Sequence, residues 1–200
     1  MGSEAISAFW QWWTDAGKAE ASVLFAGGGD QERFNAFAEE LGALVGAIDP
    51  GLGVATGPGR TAQHCLVVTA AGDEELREVA AAWLAAAPEA DAEFEYADRR
   101  QPHPEPQSLA LRFPGGVIEL AHTTVLAVVD GRVVHLQLSH PRFAELSEND
   151  RLQVAFMFLD AVLGEEAVEE RIGQVEVVVD HEAGTTPGRI TELPELLAAV

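Results

Sequence analysis

The feature that most narrows what this chain can fold into is a pattern that occurs twice: a strand hairpin, an amphipathic helix, then an alternating strand. The first copy runs from Leu52 to Thr56, Gln63 to Ala70, Asp73 to Ala86 and Ala92 to Ala97. The second runs from Val117 to Val129, Arg132 to Leu138, Ser147 to Leu163 and Ile172 to Val179. Helices placed between strand pairs, rather than strictly alternating with single strands, predict an α+β fold. Two hairpin–helix–strand (ββαβ) halves would form antiparallel or mixed sheet with helices on one face. The expected organisation is a single domain over residues 1–200: an N-terminal helical segment 1–50, a first half 51–99, a second half 107–182 and a short C-terminal helix 191–200. Such a pattern suits internal duplication and names no function.

Local signals fill in the elements. Ile6, Phe9, Trp10 and Trp13 make an aromatic helical stripe that must dock on the body, and Trp12 falls off that stripe, which makes it a candidate contact residue. Gly27-Gly28-Gly29-Asp30 has neither G-x-G-x-x-G nor G-K-[ST], so it reads as a linker ending in an N-cap rather than a phosphate loop. Behind it, Phe34, Phe37, Ala38, Leu41, Leu44 and Ile48 form one helical face. Further on, Phe94 and Tyr96 alternate with Glu93 and Glu95, as in a strand with one wet face. Pro102, Pro104 and Pro106 mark a connector, and Leu109, Leu111 and Phe113 add a strand, stopped by Pro114-Gly115-Gly116. Ser147 through Asp150 resembles a capping box, behind which Leu152, Ala155, Phe156, Leu159 and Leu163 should be buried.

Asp130-Gly131 predicts a two-residue type I′ hairpin turn. That turn places Val125, Ala127 and Val129 with Val134, Leu136 and Leu138 on one face. The other holds His122, Thr124, Leu126, Val128, Val133, His135 and Gln137. Being apolar near the turn and polar further away, this second face is expected to be partly covered, by the N-terminal helices or by a second subunit.

Charge limits the partners. With 33 acidic against 12 basic side chains the net charge is −21, which repels phosphate backbones and anionic lipid headgroups. Nucleic acid and membranes are therefore poor partners, and a basic protein, or a second copy forming a homodimer, suits the chain better. A small-molecule ligand stays open. The one cysteine, Cys65, lies in an apolar run where burial makes it inert. No basic stretch precedes an apolar segment at the start, and no apolar run approaches the ~20 residues that span a bilayer, so a cytoplasmic location is expected.

No catalytic constellation emerges. His122 and His135 share a face, but about four residues of strand, roughly 13 Å, separate them, more than one ion with ~2 Å bonds can bridge. Consecutive strand residues point to opposite faces, which argues against a shared ion at Asp180-His181-Glu182. Glu165, Glu166, Glu169 and Glu170 read as a solvated helical face. Ser139-His140 lacks the G-x-S-x-G elbow of a nucleophile. Neither a metal nor a cofactor is expected. The reading is a non-enzymatic binding or interaction protein of immunity, inhibitor or regulatory type, with Trp12, Glu119, His122, His135 and Gln137 as candidate binding residues. The alternatives are a hydrolase using carboxylates and histidine on the second sheet face, and a small-molecule sensor.

Phe9-Trp10-Gln11-Trp12-Trp13 near the start, and Leu159 through Glu165 followed by Ile172-Gly173-Gln174-Val175-Glu176 near the end, resemble a bacterial family of domains of unknown function. That family opens with an F-W-x-W-[FW] helix and carries an L-G-E segment before its last strand. Val67 through Gly72, with Ala86-Ala87-Pro88, fits the same pattern, and the likeness extends over most of residues 8 to 180. It implies no catalytic residues.

Overall fold

In the computed structural model, which describes residues 2–113 and 115–200, both copies of the pattern fold with the same connectivity as part of an α+β structure. The chain divides at the Pro-rich connector into two compact units, Met1–Arg99 and Arg100–Val200, where the sequence reading groups all elements in one domain.

In the first unit, helix α1 (Gly2–Trp12) runs through a π-helical turn, Trp13–Gly17, into α2 (Lys18–Phe25), and α3 (Gln31–Ile48) starts at Asp30, whose side chain accepts the Arg33 N–H at 2.9 Å. Strands β1 (Gly53–Pro58) and β2 (His64–Thr69) pair antiparallel, α4 (Arg77–Ala85) crosses over, and β3 (Phe94–Ala97) pairs parallel to β2. Phe9, Trp10, Trp13, Phe37, Trp83 and Phe94 dominate the core on one face of this sheet. Trp10 stacks on Trp83 at 4.6 Å, and its indole donates to the Trp83 carbonyl at 2.9 Å. Cys65 is buried with Val67 and Ala97 in a separate small cluster, where burial first and the charge of Glu95 second push its thiol up to about 11. The face expected on α3 is rotated: Val45 is buried, while Phe34 is 41% exposed.

Glu95 is partly exposed, as alternation suggested, but its carboxylate is not free. Its carboxylate accepts the N–H groups of Arg60, Thr61 and Ala62 at 2.6, 2.9 and 3.1 Å and the Thr61 hydroxyl, clasping the β1–β2 loop. Burial alone would raise its pKa, but the hydroxyl and amide donors outweigh that and bring it down to about 2.

In the second unit, β4 (Ala110–Phe113) and β5 (Gly116–Glu119) form a two-stranded hairpin apart from the main sheet; Pro114, expected to stop the strand, lies outside the described residues. The strand expected from Val117 to Val129 is therefore two strands, broken by a 3-10 turn at Leu120–His122, and the extra strand at 109–113 joins this hairpin instead of extending the sheet. Strands β6 (Thr124–Asp130) and β7 (Val133–Ser139) pair antiparallel, α5 (Glu148–Leu163) and α6 (Glu165–Arg171) cross over, and β8 (Ile172–Val178) runs parallel to β7. A two-residue strand, β9 (Gly188–Arg189), pairs with Thr124 and Val125 on the outer edge of β6, and α7 (Leu193–Ala198) closes the unit.

The hairpin keeps the expected faces but shifts its turn by one residue. Asp130 pairs with Val133, so Gly131 and Arg132 are the loop, and only Gly131 takes positive φ, 62°. A glycine in the first central position matches a type II′ turn rather than type I′. The buried stripe of α5 is Ala155, Phe158, Leu159, Val162 and Leu163, with Leu152 and Phe156 outside at 40% and 39% exposure. Val154 through Leu159 are all apolar, so periodicity alone could not fix which side faces in.

Candidate functional site

The five candidate residues fall in four places. Glu119 and His122 pair with each other at 3.1 Å across the 3-10 turn, both more than half exposed. Behind them lies His140, buried, a residue without a role in the sequence reading; its ring is 6.2 Å from that of His122. Its Nδ1 accepts the Arg142 N–H at 3.0 Å, which leaves Nε2 to donate to the Glu119 carbonyl at 3.1 Å. The imidazole is thus used up neutral, and burial foremost lowers its pKa.

His135 stands apart. In the observed register it pairs with Val128, four residues or about 13 Å along β6 from Thr124 at ~3.3 Å per residue, while His122 lies before the strand in the 3-10 turn. The β7–β8 pairing slips between Val134 and Leu136, and the N–H of Gln174 in that bulge donates to His135 Nδ1 at 2.9 Å. His135 therefore satisfies a backbone group that the ladder leaves without a partner.

Gln137 belongs to a polar chain across the same face. The Thr124 hydroxyl lies 3.0 Å from His181 Nε2, His181 Nδ1 lies 3.0 Å from Gln137 Oε1, and Gln137 Nε2 donates to Glu176 at 2.8 Å. With Nδ1 as the protonated nitrogen every link is satisfied. The turn that brings His181 over the sheet is present, yet it delivers the ring to Gln137 and Thr124. Among the described residues no three His, Cys, Asp or Glu side chains gather to hold a metal ion. Val128, on this face near the turn, is 65% exposed in the chain by itself.

A pair of buried carboxyl groups lies under the connector. Asp160 is 9% exposed and accepts from Arg100 Nη1 at 3.0 Å; Glu165 is buried, not solvated as expected, and exchanges two 2.9 Å hydrogen bonds with the Arg100 backbone. Burial raises Asp160 to about 6 against the pull of Arg100, with Glu165 and Glu169 adding repulsion. Gly164 between the helices has φ 81° and ψ 152°, and a Cβ there would stand 2.8 Å from Pro102 Cδ. Leu163-Gly164-Glu165 is thus a clasp: the glycine admits the proline and the glutamate fastens the connector.

Trp12 lines a cavity. A groove of about 420 Å³ opens between the α1–π turn and α3, lined by Trp12, Ala16, Gly17, Phe37 and Ala36, with Glu20, Arg33 and Glu40 completing it. The indole is half-buried, stacks on Phe37 at 6.0 Å and 26°, and donates to Glu40 Oε1 at 2.9 Å. Arg33 is held by Glu20 through two bonds of 2.5 and 2.6 Å, which lower the Glu20 pKa and raise that of Arg33. Gly17 is required here by contact: a Cβ would lie 2.6 Å from Trp12 Cζ3. The π turn that re-aims this helix was not legible, since nothing distinguishes Trp13–Gly17 from an ordinary helical turn except the glycine.

Among the described residues no helix is long and apolar enough to cross a membrane. No protein-family model, curated protein or solved structure matches the chain.

Proposed function

We propose that this is a non-enzymatic binding protein that takes a basic partner, in an immunity, inhibitor or regulatory role in the bacterial cytoplasm. The observation that carries this reading is the contrast between its polar groups: the candidate histidines are separated or satisfied internally, whereas the Trp12 groove joins an apolar wall to carboxylates in a chain of net charge −21. The family resemblance of the Phe9–Trp13 helix and the L-G-E clasp is part of the same proposal, and it likewise implies no catalytic residues. A panel of basic and acidic proteins titrated against the chain tests it. Binding to basic members should weaken steeply from about 0.01 to 0.1 M salt, as the screening length contracts from ~30 to ~10 Å. Salt-independent binding, or a preference for acidic members, overturns it.

A small-molecule sensor is the second reading, favoured by the groove volume, which falls within the ~300–1,000 Å³ of small-ligand sites. A ligand taken up there would raise the melting temperature with its concentration.

A further inference from the structure

We propose that the Trp12 groove receives a single arginine or lysine side chain from the basic partner, anchored by Glu40. The inference rests on the basic-partner reading and narrows it to one place. The lining itself selects a cation. Glu40 gives one oxygen to the Trp12 indole, and no cation among the described residues pairs with its carboxylate. Arg33, the cation of the lining, is committed to Glu20 by two bonds, so the groove keeps one net negative charge.

Shape agrees with charge. Phe37, Ala16, Ala36 and the half-buried indole offer an apolar wall along which the methylene stem of lysine or arginine can lie while its head reaches the carboxylates. An anion entering the same space would meet Glu20 and Glu40 with only a committed guanidinium to receive it. A neutral apolar group would find the wall and make no use of Glu40.

The test is a titration of the full chain, ¹⁵N-labelled, with a blocked hexapeptide bearing one arginine and with its lysine, leucine and glutamate counterparts. It follows the Trp12 indole N–H resonance, assigned by Trp12→Phe. Since that N–H bonds Glu40, a cation arriving at Glu40 must move it. The arginine and lysine peptides should shift it saturably, and the leucine and glutamate peptides should not. Glu40→Gln keeps an acceptor for the indole and removes the charge, so affinity should fall roughly three- to fivefold. Arg33→Ala frees Glu20 and should raise affinity by a similar factor.

Weaker arginine binding in Arg33→Ala, or an equal shift from the leucine peptide, overturns the proposal. Salt-sensitive arginine binding that is silent at Trp12 removes the groove and leaves the basic-partner reading standing. No binding to any basic probe removes both.

Discussion

The two units answer the same connectivity with different chemistry. Each pairs its hairpin antiparallel, crosses over through helix and lays a third strand parallel to the second. Yet the first core is built on Trp, Phe and Tyr side chains, and the second on Leu, Val and Ile with Phe158 as its aromatic member in the main cluster. The ββαβ arrangement thus follows from strand and helix order, and tolerates either kind of filling. What differs is the by-product. A stripe of large rings on α1 leaves one indole, Trp12, over for a groove, whereas the aliphatic unit spends its polar side chains on bulges and clasps.

Their carboxylates make the same contrast. Glu95 in the first unit sits among donors and is held at about 2, while Asp160 in the second sits under burial and is raised to about 6. Hydrogen bonds to the charged form win in one place and desolvation in the other.

The largest expected effect that sharpens this comparison is in the core. Trp83→Ala removes a fully buried ring stacked on Trp10 and should cost about 3–5 kcal/mol, read from faster amide exchange in β2. Leu138→Ala in the second unit should cost about 2–4 kcal/mol, read in β7; an equal or larger loss would show that ring packing adds nothing beyond volume.

Next come the carboxylates, which should move in opposite directions with pH. Glu95 has a lowered pKa, so its stabilisation is present above its ordinary value of 4.5 and is lost as pH falls towards 2; Glu95→Gln should cost about 1–2 kcal/mol at pH 7, discounted for its partial exposure, and little at pH 2. Asp160 has a raised pKa, so its contribution is present below 3.8 and is lost as pH rises through 6. Asp160→Asn should therefore gain about 1–2 kcal/mol at pH 8, and nothing at pH 4, in denaturant unfolding; a loss at pH 8 would mean that the Arg100 contact outweighs burial.

The smallest effects lie in the backbone. Gly131→Ala puts a side chain at φ 62° and should cost about 1 kcal/mol, while Ala71→Gly relieves a non-glycine residue already at φ 52° and should gain about half that, each read from the shift in denaturant midpoint.

Much of this architecture was legible because it depends on order and periodicity. The Ile6, Phe9, Trp10, Trp13 stripe is buried as its spacing demands, and the β6–β7 faces follow the alternation of Val125 through Leu138. What escaped depends on partners far away in sequence. Nothing near His181 announces Gln137, 44 residues earlier, and nothing near Glu95 announces a loop more than thirty residues before it. The solvated reading of Glu165 failed for the same reason, since its partner is the backbone of Arg100. The α5 face failed for a different one: six consecutive apolar residues carry no phase. Of the candidate groove, Trp12 stood out in the sequence because it broke a stripe, whereas the groove itself needed the π turn and Gly17, which pattern does not encode.

The Glu95 clasp also bears on the order of events during synthesis. The loop it holds is translated first, but its amides have no carboxylate to bind until the last strand of the first unit exists. The Glu95 bonds to the loop must therefore wait through α4, and they can form soon after residue 95 leaves the ribosome. The hundred or so residues of the second unit then take roughly 5–20 s to follow, at ~5–20 residues per second. A single late glutamate would thus fasten an early hairpin after its strands have paired.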